Sequence, residues 1–259
     1  MVALPVVRHP DFEFSDVPRR WCDDDQLLTH VINGLSAVFP DGEKFFMRAV
    51  AAFESEADEE LLQRIRAFYG QEASHGKAHR ATFEMLEAQG YRIENWLAWY
   101  RAHAYRDGVE SRVSPTTRLA VTVALEHFTA TLAEVAFTPG ELTDRMHPEM
   151  ARLLRWHAAE EIEHKSVAFD LLSQVDPRWR TRAAGFVIGL LVLGLYASSA
   201  AHHLARQDGL RGARLRLAIE LLRRPRVLRK GAAFLRPRFH PDEDDNYELA
   251  GRFLASFAN

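Results

Sequence analysis

The sequence predicts an all-α protein built around a bundle of four long helices. Two observations lead to this prediction. Ala, Leu, Arg and Glu, which favour helices, dominate the composition, and apolar residues recur at helical spacing between Gly and Pro breaks. No segment shows the strict alternation of a β-strand. The chain has 259 residues, of which 47% are hydrophobic, so it is long enough to bury a sizeable core.

Start and stop residues place the individual helices. Asp24 is the expected cap of the first helix, and Gly90 follows the end of the third. Ser114 and Pro115 are a strong start for the fourth, because Pro suits the first helical position. Pro148 opens the fifth. The predicted helices cover roughly residues 24–38, 42–53, 58–89, 114–137 and 148–172.

The last four of these helices form two hairpins in the predicted topology. Residues 91–113, which are rich in aromatic side chains, connect the hairpins and are expected to hold at most a short helix. The prediction for residues 1–177 is therefore a four-helix bundle with one long crossover and an extra N-terminal helix.

Residues 178–259 differ in character and are predicted to form a helical extension that packs on the bundle. Residues 183–201 carry no charge, and eleven Arg or Lys residues follow over 206–238 against two acids. A helix of 19 apolar residues is about 28 Å long, close to the thickness of a membrane core. Two interpretations stay open: a helix buried against the bundle or in a homodimer interface, and a helix that contacts a membrane.

Composition excludes several classes of protein. Cys22 is the only cysteine, so an internal disulfide and cysteine-based zinc or iron–sulfur sites are excluded. The net charge of -3 indicates no partner, and no nucleic-acid recognition motif is present, so nucleic acid is not expected as a partner. The first residues lack the apolar core of a signal peptide, which favours the cytoplasm or the inner face of the membrane.

A repeated motif carries the predicted chemistry. A lone Glu is followed in the next helix by Glu-x-x-His, and this pair of elements occurs twice, one element per helix. The residues are Glu43, Glu72 and His75, then Glu126, Glu161 and His164. Residues three apart share one helix face, and four buried carboxylates would repel one another without cations. The pattern therefore predicts two metal ions in the bundle core.

Further residues lie next to these candidate ligands. His157 precedes Glu161 by one helical turn and shares its face, so it is predicted to be a seventh ligand. His79 follows His75 by one helical turn in the predicted helix over 58–89, and both a role as a metal ligand and a role as a hydrogen-bonding support stay open for it. Glu160 and Glu163 point elsewhere on the helix and are expected to be solvated or supporting.

These residues resemble the metal ligands of the ferritin-like di-iron carboxylate proteins. More closely, the segments FPDGEKFF, QEASHGKAH and EEIEHKSVAFD resemble the bacterial family of predicted metal-dependent hydrolases. The run HxxxExxH is similar to the fourth helix of arylamine N-oxygenases, in which an additional His joins the metal centre. The resemblance implies a ferritin-like four-helix bundle that binds two iron ions, or manganese, or one of each.

The sequence supports three hypotheses for the function. The leading hypothesis is an oxygen-dependent di-iron oxidase or oxygenase, with dioxygen and a small organic molecule as substrates. The alternative is a metal-dependent hydrolase that uses a water activated by two metals. The third is a non-catalytic metal-binding or membrane-associated protein. The sequence identifies no catalytic acid or base.

Overall fold

The computed structural model describes residues 4–105 and 108–257. Within these ranges the chain forms eleven α-helices, joined by loops and short 3₁₀ turns, and no β-strand. The all-α prediction is confirmed. The helices are α1 (Gln26–Ser36), α2 (Phe39–Ala51), α3 (Glu59–Ala88), α4 (Glu94–Ala104), α5 (Pro115–Ala136), α6 (Pro148–His164), α7 (Val167–Val175), α8 (Trp179–Gln207), α9 (Ala213–Leu222), α10 (Pro225–Phe234) and α11 (Tyr247–Phe257).

Most helix ends follow the expected local chemistry. The Ser114 side chain accepts a hydrogen bond from a backbone amide in the first turn of α5, and Gly90 adopts a φ of 91° after α3. At α1 the predicted cap was wrong by one residue, because Asp25 supplies the capping carboxylate and Asp24 has a positive φ. Helix α2 begins earlier than predicted, at Phe39, because Pro40 needs no hydrogen-bond partner in the first turn.

The predicted helix over 148–172 is divided into α6 and α7. The division follows His164 directly and contains no Gly or Pro that would announce it. The buried Lys165 donates hydrogen bonds to the Asp244 carbonyl and to Asn246, while the Ser166 hydroxyl accepts one from Arg64. These contacts hold the two residues in a turn, so a continuous helix was the wrong prediction here.

Four helices surround the polar centre of the molecule. Helix α2 packs on α3, α3 on α6, α6 on α5, and α5 on α2, which closes a ring. Large apolar side chains such as Trp156, Phe68 and Leu119 are fully buried in two apolar clusters. The ring forms because each helix turns one face with both apolar residues and a motif residue toward its neighbours.

The long helix α8 packs along α1 and α5. Small residues allow this approach: a Cβ atom on Gly34 would lie 2.5 Å from the Ala201 nitrogen, and one on Gly185 would lie 2.4 Å from the Ala120 carbonyl carbon. The opposite face of α8 exposes Val187, Leu191 and Leu195. The apolar run 183–201 is therefore buried on one side only.

Two of the described helices, Pro115–Ala136 and Trp179–Gln207, are long and apolar enough to cross a membrane. Length and composition alone make them candidates, and a core helix of a soluble protein can have the same length and composition. In α5, 61% of the most apolar stretch is buried, against 28% in α8. Helix α5 is thus a core helix, whereas the cytoplasmic location, the membrane contact and the division of the chain at residue 178 stay predictions.

The close contact between α1 and α8 can be tested with Gly34→Ala. The added methyl group would overlap backbone atoms of α8, which cannot yield as a flexible side chain can. We expect the free energy of unfolding, measured by urea denaturation, to fall by about 1–3 kcal/mol.

The matched control is Gly251→Ala, since Gly251 is an exposed glycine on α11 with open space around its Cβ position within the described structure. The control should be neutral or stabilising by up to about 1 kcal/mol, because Ala favours the helix. Equal effects of the two substitutions would contradict the close packing of α8.

Candidate metal centre

The ring of helices brings all seven predicted ligands together in its core. Helix α2 contributes one of them, α3 two, α5 one and α6 three. Every one of the seven is buried, with at most 5% of its surface exposed. They are Glu43, Glu72, His75, Glu126, His157, Glu161 and His164.

One half of the centre gathers around His164. Its Nε2 atom lies 3.2 Å from a carboxylate oxygen of Glu72 and 3.2 Å from one of Glu126. One donor atom from each of these three residues lies within 4.8 Å of the other two, close enough to hold one ion. Because they come from α3, α5 and α6, this half joins three helices of the ring.

The other half gathers around His157 and His75. Donor atoms of Glu43, His75 and His157 form a second group of the same size. A third group, made by Glu72, His75 and Glu161, overlaps both halves. The three groups together use all seven residues, so the arrangement has room for two ions that share ligands.

Glu161 occupies the middle of the cluster. Its Oε1 atom lies 2.8 Å from His157 Nε2 and 3.7 Å from both His75 Nδ1 and His164 Nε2. The other oxygen accepts a hydrogen bond from the Thr129 hydroxyl. A carboxylate between three imidazoles would contribute to holding both ions.

The cluster contains buried polar atoms that the protein does not satisfy. Both carboxylate oxygens of Glu43, Glu72 and Glu126 make no hydrogen bond within the described part of the chain, and neither do His75 Nδ1 and His164 Nε2. Buried polar atoms are nearly always paired, because an unpaired one costs about 1–3 kcal/mol. All of these atoms are typical metal donors, so the donor set fits a dinuclear metal site.

Charge leads to the same conclusion. Burial and the neighbouring carboxylates raise the pKa of Glu43 and Glu72 well above the ordinary value, and burial with Glu161 raises that of Glu126 to about 7. Burial opposes ionisation of His164 as well, yet Glu126 and Glu161 hold its pKa well above the ordinary value. Two divalent cations would balance four ionised carboxylates and displace these protons.

A second layer of side chains orients the imidazole of His75. The Glu160 carboxylate lies 3.0 Å from His75 Nε2, which leaves Nδ1 facing the cluster. Trp156 Nε1 and the Arg8 guanidinium donate to the same carboxylate. Burial, opposed by Arg8, raises the pKa of Glu160 to about 8. Of the two roles expected for Glu160, the supporting one is therefore observed, because its side chain is fully buried.

A similar layer orients His164. Its Nδ1 atom donates to Gln71 Oε1 over 2.9 Å, and the Gln71 amide donates to Glu163 over 2.8 Å. Arg8 also binds Glu163, so one arginine from the N-terminal segment connects both layers. Sequence reasoning missed Gln71 and Arg8. The position of Gln71 beside Glu72 and one turn before His75 was the only available sign.

The role left open for His79 becomes clear from its contacts. His79 Nε2 lies 2.6 Å from His157 Nδ1, and the Ser36 hydroxyl lies 2.6 Å from His79 Nδ1. His79 therefore lies behind His157, on the side away from Glu161. The contact holds the His157 ring so that Nε2 faces the centre.

The raised carboxyl pKa values predict how the metal-free protein responds to pH. Glu126 and Glu160 keep their protons in the folded chain at pH values where the unfolded chain has released them, so raising the pH favours unfolding. The melting temperature of chelator-treated protein should fall as the pH rises through about 7 to 8. The Glu126→Gln variant should show a weaker fall, and a metal-loaded sample little or none. A flat profile for the metal-free protein would contradict the buried carboxyl cluster.

The support given by Glu160 predicts a loss of metal affinity in Glu160→Gln. The substitution keeps the shape of the side chain but removes the carboxyl group that can ionise and polarise His75 when a metal binds, so metal affinity should fall about 10–100-fold. Competition with a chromophoric chelator measures this quantity. The matched control is Glu84→Gln, an exposed glutamate on α3. Equal affinity of the two variants would show that Glu160 does not position His75.

Comparison with known proteins connects this centre to a family. A family model described as predicted metal-dependent hydrolase matches residues 6–245. The match begins just before Arg8 and ends just after Asp244, whose carbonyl binds Lys165. Comparisons with curated proteins and with solved structures found no match. The family match covers nearly the whole chain and every candidate ligand, as the resemblance in the sequence implied. The chain therefore belongs to the family of predicted metal-dependent hydrolases.

Proposed function

We propose that this protein is a hydrolase that uses two divalent metal ions to cleave an ester or phosphoester. The observation that carries the proposal is the buried cluster, in which two groups of carboxylate and imidazole donors are joined by a third group made of Glu72, His75 and Glu161. The family description supports hydrolysis over the oxygen-dependent chemistry that led the sequence predictions.

The residues divide naturally between two ions. Glu72, Glu126 and His164 would hold one, Glu43, His75 and His157 would hold the other, and Glu161 lies between them. When bound, two such ions supply Lewis-acid polarisation of the scissile group and a water of lowered pKa.

A row of hydrogen-bonded side chains orients His157 next to Glu161. His157 Nε2 faces Glu161, and His157 Nδ1 faces His79, which in turn contacts the Ser36 hydroxyl. His157 therefore presents Nε2 to the candidate ion, while His79 and Ser36 orient its ring from the other side. Thr129 meanwhile holds the second Glu161 oxygen by a hydrogen bond.

The identity of the metal is part of the proposal. Carboxylate and imidazole donors accept zinc, manganese and iron, and availability decides much of the choice. Two iron ions, with manganese as a substitute, remain the prediction from the resemblance. The ferritin-like topology is retained as a proposal, supported by the ring of α2, α3, α5 and α6.

A di-iron oxidase or oxygenase is the second candidate. Its support is the donor set, since four glutamates and two Glu-x-x-His motifs on facing helices form the arrangement known from di-iron and di-manganese carboxylate proteins. The family match does not support this candidate, which therefore ranks below hydrolysis.

Metal content and turnover test the proposal together. Purified protein reconstituted with iron, manganese or zinc should bind about two ions per chain by mass spectrometry. The Glu72→Ala, Glu161→Ala double variant should lose them. The matched control is Glu84→Ala, Glu87→Ala, which changes two exposed glutamates on α3.

Oxygen separates the two candidates. A hydrolase should cleave a p-nitrophenyl ester or bis(p-nitrophenyl) phosphate under argon, and the rate should depend on the two ions. An oxidase should consume oxygen after reduction and release nothing from these compounds under argon. Metal binding without either activity would favour the non-catalytic metal-binding protein. Absence of metal from every reconstituted sample would refute both enzymatic hypotheses.

A further inference from the structure

A large cavity adjoins the candidate metal centre. It has a volume of about 560 Å³ and lies between α1, α5, α6, α8, α9 and α10. This volume is within the range of roughly 300–1,000 Å³ that is typical of small-molecule sites. Helices α8, α9 and α10 belong to the C-terminal extension, so this part of the chain completes a space that the bundle alone leaves open.

The inner end of the cavity reaches the centre of the cluster. His157 and Glu161 both line it. Ser36, which contacts His79, and Thr129, which contacts Glu161, line it as well. A molecule in the cavity therefore approaches the candidate ions from the side of Glu161. No other predicted ligand lines the described walls of this cavity.

The outer end opens at the surface between α8 and α10. Gly194 on α8 and Leu228 and Ala232 on α10 line the cavity and are exposed. Between the two ends the wall is largely aliphatic. Its residues include Val31, Ile32, Leu35, Leu132, Leu193 and Leu221.

The Glu220 and Arg224 side chains add the main charges to this wall, and they neutralise each other. Arg224 donates to the Glu220 carboxylate over 2.8 Å. An apolar wall of this kind offers few partners for polar groups, so a polar ligand would lose its hydrogen bonds to water. A hydrocarbon chain loses none, and each methylene that leaves water strengthens binding by about fourfold.

We propose that the cavity is a channel for a hydrocarbon chain, and that the substrate is an ester of a long-chain acid or alcohol. The proposal rests on the hydrolase function above and names its substrate class. The chain would lie in the channel with its ester group at Glu161.

The reaction balances without a further reactant. The oxygen of water forms a bond to the carbonyl carbon, and the bond between that carbon and the alcohol oxygen breaks. One proton of the water goes to the alcohol oxygen, and the carboxylic acid releases the other.

Hydrocarbon chains reach such a channel from solution or from a bilayer. The helices around the opening expose Leu191, Leu195 and Leu222. Arg226 and Arg229 on α10 pair with no carboxylate among the described residues. Both features suit an anionic lipid surface. Whether it comes from solution or from a bilayer, the ligand is a hydrocarbon chain that carries an ester group.

The test uses 11-(dansylamino)undecanoic acid, whose emission increases when its chain enters an apolar site. We expect metal-free and metal-loaded protein to bind it, and we expect Gly194→Trp to weaken binding by at least about tenfold. No described atom lies within 4 Å of a Cβ at Gly194, so the new side chain fits at the opening and blocks it. Ala232→Trp is the second variant, on the opposite lip.

The matched control is Gly251→Trp, which adds the same side chain to an exposed glycine of α11 outside the cavity. It should bind the probe as the wild type does. The proposal fails if the wild type does not bind, or if both lip variants bind as tightly as the control. Binding that persists while no metal or hydrolysis is found would refute the proposed function and leave the channel intact.

Two further measurements define the substrate. In the hydrolysis of p-nitrophenyl esters, kcat/KM should rise by at least about tenfold from the acetyl to the decanoyl ester, and a flat series would overturn the proposal. Probe transferred from phosphatidylglycerol vesicles faster than from buffer would identify the bilayer as the source. Equal transfer from both would identify a dissolved amphiphile, with the same channel.

Discussion

The structure depends on the burial of four carboxylates in one helical core. All four are buried, and each comes from a different helix of the ring. They are Glu43, Glu72, Glu126 and Glu161. Their mutual repulsion and the cost of burial require compensation, which three imidazoles supply only in part. Two divalent cations would balance the charge and fill the unpaired donor positions. The helices are therefore arranged around a buried cluster whose donors fit two cations, with apolar side chains packed next to it.

Side chains that orient the imidazoles connect the buried carboxylate cluster to both ends of the chain. Arg8 joins the layers behind His75 and His164, so the N-terminal segment is tied to the centre through Glu160 and Glu163. At the other end, Lys165 binds the segment near Asn246, and the turn it makes ends α6 directly after His164. Segments that look irregular in the sequence thus determine how rigidly the ligands are held.

The sequence predicted what depends on local chemistry. Helix starts at Ser114 and Pro148 and the inward direction of the Glu-x-x-His motifs follow from capping and from 3.6-residue periodicity. It could not decide between solvation and support for Glu160, because periodicity gives a direction on one helix and says nothing of Arg8, which arrives from elsewhere. The end of α6 was missed for the same reason, since its cause lies in the C-terminal segment.

The apolar run at 183–201 also has a placement that local sequence could not predict, and it connects the bundle with the C-terminal extension. Burial and membrane contact were alternatives for residues 183–201, yet α8 uses one face against α1 and α5 and leaves Leu191 and Leu195 exposed. The same helix contributes Gly194 to the lip of the cavity that ends at Glu161. Glu161 therefore belongs both to the candidate ions and to the cavity. A substrate that enters along α8 would meet the metal centre at its central carboxylate, so the extension and the bundle would form one active site.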